Sequence, residues 1–329
     1  MKLLIDQKRR FRMSKLQSNF WSEVARQGTL RKPNTAWWWA AGLGFAIILT
    51  VLVAQTKGQE PSGLSSSSVP AASDVGENTT RDFVAPTVFQ AAGPDAASIL
   101  SSVTAFRNAL GDPVNGNATM PLDKGRREIN WDGATPTDVT TPPVTPFNTF
   151  LNTRGAQFTT PGIGLSQAPP SGGPQGGLVG LFNNPTYGTA FKVFSPLRLF
   201  TPVGSNVTNT FFFLPGSNGN VPAVVSGFGA VFTDVDQPDG SGPGKKQGNR
   251  EASTLMEFFG ADGSLLFSSF VPASPSNGGL SFFAIKFNDP RIASVRITAG
   301  NVAPGPDDDD KHDVVMMDDF IYGEPHALP

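Results

Sequence analysis

The chain has 329 residues, with 25 Lys or Arg against 27 Asp or Glu, a formal net charge of −2, and only 16 % of it is charged. It contains no cysteine, which excludes a thiol nucleophile, a zinc-thiolate site, a cysteine-ligated iron–sulfur site and a disulfide framework. Gly and Pro make up about a fifth of the sequence without a collagen period, so many turns and some flexible segments are expected.

Residues 1–36 carry nine Lys or Arg and two acidic residues, a net of +7, which leaves −9 for the remainder. The stretch WWWAAGLGFAIILTVLVA at 37–54 has no charge. As a helix it would be about 27 Å long, enough to cross a thin hydrocarbon core. Three tryptophans open it, where an indole ring suits a membrane interface, and the basic head before them places the N-terminus in the cytoplasm. Membrane topology thus explains the charge asymmetry, and no nucleic-acid partner is expected. Two fates fit: retention as a signal anchor in the inner or cytoplasmic membrane with the C-terminal domain outside, or secretion after cleavage near Ala54. Leu52 is bulky for the −3 position and the head is long for a signal peptide, which favours retention. Residues 55–93 are polar or small and rich in Ser, Ala and Pro, and are expected to form a flexible stalk.

The folded body is expected over 94–325, with a short tail at 326–329. In PDAASILSSVTAFRNALG, residues 94–111, Ile99, Val103, Phe106 and Leu110 recur at helical spacing, Asp95 suits the N-cap and Gly111 the stop. This helix should cover one face or end of a sheet. REINWDG, 127–133, reads as a first strand, residues 132–146 as loop, and GLSQAPPSGGPQGGLVG, 164–180, as loop again. From residue 191 short strands follow one another: FKVFSPLRLF, VTNTFFFLPG, VPAVVSGFGAVFTDVD, STLMEFFGADGSLLFSSFVP, GGLSFFAIKF, RIASVRITAG and VVMMDDFIYG. Ala261-Asp262-Gly263 marks a hairpin turn. About eight short strands without intervening helices predict a mainly β domain, an antiparallel β-sandwich of the jelly-roll kind with one short packed helix.

Motifs for chemistry are sparse. The two histidines, His312 and His326, have no Ser or Asp at a catalytic spacing, and HExxH, Walker A and Gly-x-Ser-x-Gly patterns are absent. Asp234 and Asp236 in FTDVDQPDG lie at i and i+2 at a strand exit, on one side. They read either as turn residues bonding backbone N–H groups or as ligands of a structural calcium ion, with Glu128 or Asp318 adding oxygens from another strand. The run Asp307 to Asp310 reads as a solvated loop. In VVMMDDFIYG both faces are apolar before Asp318-Asp319, which predicts a central strand covered on both sides. A regular strand turns the two carboxylates to opposite faces, and the buried one needs Arg126, Arg127 or calcium as partner. The metal candidates are therefore Asp234, Asp236, Asp318, Asp319 and Glu128. Trp131 is either a platform for a sugar ring or a core residue.

The ordered set GRREINWDG, FSPLRLFTPVGSNVTNTFFFLPG, VSGFGAVFTDVD, FFGADGSLL, GGLSFFAIKFN, RIASVRITAGN and VVMMDDFIYGEP resembles an uncharacterised exported bacterial β-sandwich domain family. It is similar in style to the extracellular modules of proteins bearing PEP-type C-terminal sorting signals. The resemblance spans residues 98–325 and implies that Arg126, Arg127, Asn130, Trp131, Asp132, Asp234, Asp236, Asp318 and Asp319 are its characteristic polar positions. The sequence ends in HALP without an apolar sorting helix, so the anchor is expected at 37–54. The expected function is a non-catalytic extracytoplasmic module that binds glycan or another envelope polymer through Arg126, Arg127, Asn130 and Trp131, or acts as a structural surface component. The alternative is a secreted carbohydrate-active hydrolase using dispersed carboxylates.

Overall fold

The computed structural model describes residues 85–328 apart from 134, 135, 137, 242–247 and 249. The basic head, the apolar segment 37–54 and the stalk up to residue 84 lie outside the described residues, as does most of the glycine-rich loop at 240–250. The described part is mainly β, built of antiparallel sheets with four helices.

One sheet contains β1 (Thr87–Gly93), β2 (Arg126–Ile129), β4 (Gly164–Ala168), β5 (Leu199–Val203), β8 (Gly227–Thr233), β11 (Leu280–Lys286) and β13 (Met316–Gly323). Its order is β1-β11-β8-β13-β5-β4, with β2 also paired to β13. The other holds β3 (Ala156–Thr159), β6 (Val207–Phe212), β9 (Leu255–Phe259), β10 (Leu265–Phe270) and β12 (Ser294–Thr298), in the order β10-β9-β12-β6-β3. Phe228, Phe232, Phe283 and Phe320 of the first sheet and Phe158, Met256, Phe258 and Ile297 of the second belong to one buried cluster. The hairpin of β9 and β10 turns where expected, with Gly263 at φ 79°.

Helix α1 (Ala96–Leu110) follows its sequence signals. The Asp95 carboxylate accepts the Ser98 N–H at 3.0 Å, and the Gly111 N–H donates to the Arg107 carbonyl at φ 91°. Its stripe Ile99, Val103 and Phe106 packs on Val231, Phe282, Ala284 and Ile321, the outer face of the larger sheet. Gly229 permits this approach, since a Cβ there would meet the Ala284 Cβ at 2.4 Å and Phe106 at 3.0 Å.

Four expectations need correction. The stalk reading ends too late: residues 87–93 form β1, paired along its whole length with β11 from Thr87↔Lys286 to Gly93↔Leu280. Its backbone ladder, rather than a large apolar side-chain set, holds it in place. The stretch 164–180 is not all loop, for it contains β4 and α3 (Gly177–Phe182). β4 is fully buried although polar in its middle, because Ser166 Oγ donates to the Thr141 carbonyl at 2.6 Å and Gln167 Nε2 to the Trp131 carbonyl at 2.8 Å. The tail is also ordered, since β14 (His326–Ala327) pairs with β7 (Ala223–Val224). The two remaining helices are α2 (Leu151–Arg154) and α4 (Tyr187–Ala190), so the described residues hold four helices where the strand run implies one, the extra three being short segments between strands.

Trp131 has no exposed surface. Positive φ, 63°, just after β2 turns its indole inward. The ring stacks on Phe200 at 3.7 Å between centroids and meets Phe158, Phe147, Phe150 and Phe320 edge-on. Trp131→Ala is expected to cost about 3–5 kcal/mol, measured as a fall in the urea midpoint at unchanged slope. A loss below about 1 kcal/mol would contradict this placement.

Candidate functional site

β13 runs through the middle of the larger sheet, and its pairing slips once. Met317 lies opposite Phe232 and Phe320 opposite Ala230, so Asp318 and Asp319 together face one residue of β8. This is a β-bulge. The core side chains record it: Val315, Met317, Phe320 and Tyr322 share the main core, at spacings of two, three and two. On its other edge β13 pairs with β5 at Met317↔Phe200 and with β2 from Phe320↔Ile129 onward. The bulge sits at that change of partner.

The aspartates supply what the ladder lacks there. Asp318 Oδ2 accepts the N–H groups of Phe194, at 2.7 Å, and Ser195, at 3.3 Å, while its Oδ1 accepts the Asp319 N–H at 2.8 Å. The Asp318 carbonyl accepts the Trp131 indole N–H at 3.0 Å. Ser195 Oγ lies 2.6 Å from Asp319 Oδ1 and 3.2 Å from Asp318 Oδ1. The bulge thus corrects the expectation that the two carboxylates diverge, because both reach one hydroxyl. Both are buried. The cation expected beside them also needs correction, since it is Arg107 of α1, whose Nη2 lies 3.3 Å from Asp319 and 2.8 Å from Glu128. Burial raises the carboxyl pKa values of both Asp318 and Asp319. Repulsion from Asp319 adds to the rise at Asp318, and the Ser195 bond and Arg107 moderate it at Asp319.

Arg126 and Arg127 serve elsewhere. Arg126 binds Glu128 at 2.7 Å and Asp112 at 2.5 Å. Arg127 is fully buried and forms a two-toothed pair with Glu324, Nε to Oε2 and Nη2 to Oε1 each at 2.6 Å. Its Nη1 donates to the carbonyls of Gly116, Ala118 and Thr153 at 2.9 Å. Asn130 is exposed and lies 3.4 Å from Asp132. Trp131, Arg126, Arg127 and Asn130 therefore form no common binding face: Trp131 and Arg127 are core residues and Arg126 is committed to acidic partners.

A second acidic group lies elsewhere. Carboxylate oxygens of Asp234, Asp236 and Asp308 lie within 4.8 Å of one another. Asp318, Asp319 and Glu128 do not join them, which corrects the metal set expected from sequence. Asp234 does not continue β8, which ends at Thr233. It takes φ 69° and its Oδ1 accepts the Gly278 N–H, so this left-handed kink, rather than strand alternation, sets how it meets Asp236. Asp308 comes from the run expected to be solvated. It is half-buried, and its Oδ1 accepts the Val314 N–H at 3.1 Å. Its neighbour Asp309 does remain in solvent and holds the loop by accepting the N–H groups of Lys311 and His312 at 2.8 Å. Asp313, fully buried, accepts the Asp236 N–H at 3.2 Å and the Ser253 hydroxyl. Burial and the neighbouring carboxylates push Asp234 up to about 7 and Asp308 to about 6, and raise Asp313 well above the usual range. Sequence reasoning missed Asp308 and Asp313 because their positions in an acidic run carry no burial signal.

A shallow hollow elsewhere is lined by Asp138, Pro170, Phe191, Lys192 and Leu197. Family models, curated proteins and solved structures give no match to this chain.

Two outcomes test these assignments. Arg127→Met leaves the Glu324 carboxylate buried without its cation, with the Asn115 amide still donating to it at 2.7 Å, and is expected to cost about 3–5 kcal/mol in chemical unfolding. Adding Glu324→Leu should recover part of that loss, and purely additive losses would contradict the pairing. The aspartate pair predicts a pH trend. An unfolded aspartate loses its proton near pH 4, whereas the raised values keep protons on the folded state to higher pH. The folded protein then binds more protons than the unfolded chain, so stability falls as the pH rises from about 4 through the folded values. Asp319→Asn can accept from Arg107 and donate to Ser195. It should stay within about 1 kcal/mol of the wild type at pH 5 and fall less in melting temperature between pH 5 and 8. An unchanged slope would contradict the coupling of the pair.

Proposed function

We propose that the chain is a non-catalytic extracytoplasmic module, a β-sandwich body carried by the segment 37–54 on the outer side of the cytoplasmic membrane, and that it serves as a structural component of the cell envelope. The observation that carries this reading is the state of the Asp318-Asp319 pair. Its oxygens accept three backbone N–H groups, approach the Ser195 hydroxyl and pair with Arg107. A glycosidase pair instead has to flank its substrate with one carboxylate free to attack or to activate water. The structural role is preferred to glycan binding because Trp131, the residue best suited to stack on a sugar, lies in the core. The uncharged apolar stretch behind a +7 head supports the location. The run of short antiparallel strands supports a jelly-roll form of the sandwich.

Protease treatment of intact spheroplasts expressing the full chain tests the reading. The body is expected to be digested from outside while the chain remains in the membrane fraction after a high-salt wash. A body protected until lysis would overturn the location. Retention on a polysaccharide matrix would replace the structural role by polymer binding. Release of reducing ends that disappears in Asp319→Asn would replace it by the hydrolase.

A further inference from the structure

The acidic group beyond β8 is distinct from the network around β13. Three side chains from two loops converge on it: Asp234 and Asp236 from the chain leaving β8, and Asp308 from the loop that leads into β13. Aspartates at chain reversals often serve only to accept backbone N–H groups, and half of this group does so. Asp234 Oδ1 takes the Gly278 N–H and Asp308 Oδ1 the Val314 N–H. The other half has no such use. Asp234 has no exposed surface, yet its Oδ2 has no hydrogen-bond partner. Among the described residues the Asp236 carboxylate has neither a hydrogen bond nor an ion pair. Asp313, also without exposed surface, packs behind them with its Oδ1 unpartnered. Among the described residues no Lys, Arg or His forms a salt bridge with any of the four. A buried carboxylate oxygen without a donor is costly, and several facing one another are costlier. A cation among them would relieve both penalties.

We propose that Asp234, Asp236 and Asp308 bind a calcium ion, with Asp313 holding the Asp236 backbone in place. The donors are all carboxylate oxygens, which selects a hard cation over zinc or copper. Calcium takes oxygens at roughly 2.3–2.6 Å in adaptable geometry. Oxygens on opposite sides of such an ion are about 4.6–5.2 Å apart, and three carboxylate oxygens that all lie within 4.8 Å of one another fit inside such a shell. Magnesium, at roughly 2.0–2.1 Å and near-ideal octahedral geometry, sheds its waters reluctantly and takes one or two carboxylates rather than a protein cage, which favours calcium here. Three carboxylates supply part of the six to eight oxygens that calcium takes, and carbonyls and water can supply the rest. The ion would tie the acidic loop 305–313 to the end of β8. This proposal does not depend on the membrane reading.

The test uses the full chain in mild detergent, freed of metal with EDTA and dialysed, with calcium chloride or magnesium chloride alone as the probe. Calcium binding is followed by equilibrium dialysis and by the melting temperature from circular dichroism. The wild type is expected to bind about one calcium ion and to melt roughly 3–6 °C higher at a tenfold excess over Kd, with a smaller response to magnesium. Asp236→Asn removes a carboxylate that holds no fold contact. It should melt no lower than the wild type in EDTA and lose most of the calcium shift, whereas Asp289→Asn, a surface variant, should keep it. No binding and no shift up to about 5 mM calcium, at the weak end for extracellular modules, would overturn the proposal. A full shift retained by Asp236→Asn would overturn it as well.

Discussion

A buried carboxylate that stands in for a missing strand neighbour is the interaction on which the larger sheet depends. β13 is the central strand, and it loses one partner, β5, before it gains another, β2. A buried strand with unpaired polar groups at that gap would cost several kcal/mol. The extra residue at Asp318-Asp319 resolves the gap. It turns the Asp318 carboxylate toward the N–H groups of Phe194 and Ser195, and leaves the Asp318 carbonyl to the Trp131 indole. The bulge also sets the register of the strand beyond it, because Phe320 and Tyr322 reach the main core only after the slip. The aromatic cluster around Trp131 and the polar network around Ser195 are thus two sides of one local irregularity.

The two carboxylate groups solve the same electrostatic problem in different ways. At β13 the negative charge is met by Arg107 from α1 and by backbone donors. This fastens the helix to the sheet more specifically than its apolar stripe alone. At the exit of β8 the carboxylates of Asp234, Asp236 and Asp308 face one another, with Asp234 and the nearby Asp313 each keeping an orphaned oxygen, and either protons or a cation must balance them. The first group is complete within the chain, and the second is not. That difference separates a structural network from a ligand site more sharply than acidity does, since both read as acidic in the sequence.

Much of the body was legible because its signals are local. The N-cap and stop of α1, the hairpin at Asp262-Gly263 and the strands from β6 to β13 follow from periodicity and turn residues. β1 and β4 were missed because their side chains are small or polar, and their place depends on ladders with β11 and β5 far along the chain. In the site, Asp234 and Asp236 were picked out correctly as neighbours, but through strand alternation that Asp234 breaks. Regular strand alternation turns Asp318 and Asp319 apart, and no residue announces the bulge that brings them together. Arg107 was overlooked as their partner because helical spacing reports only its apolar neighbours Val103 and Phe106. Partners separated by about two hundred residues are decided by topology, which a single sequence does not display.

The central claim is that the Asp318 carboxylate replaces a strand at the gap beside β13, and backbone amide hydrogen exchange on the folded protein tests it most directly. Phe194 and Ser195 lie outside any strand, so as ordinary loop residues their amides would exchange fast. With Asp318 as a buried acceptor, the Phe194 amide should be protected nearly as well as those of the buried strands β8 and β13, since core strands as a class exchange only through near-global opening. Exchange at Phe194 at the rate of an exposed loop would contradict it.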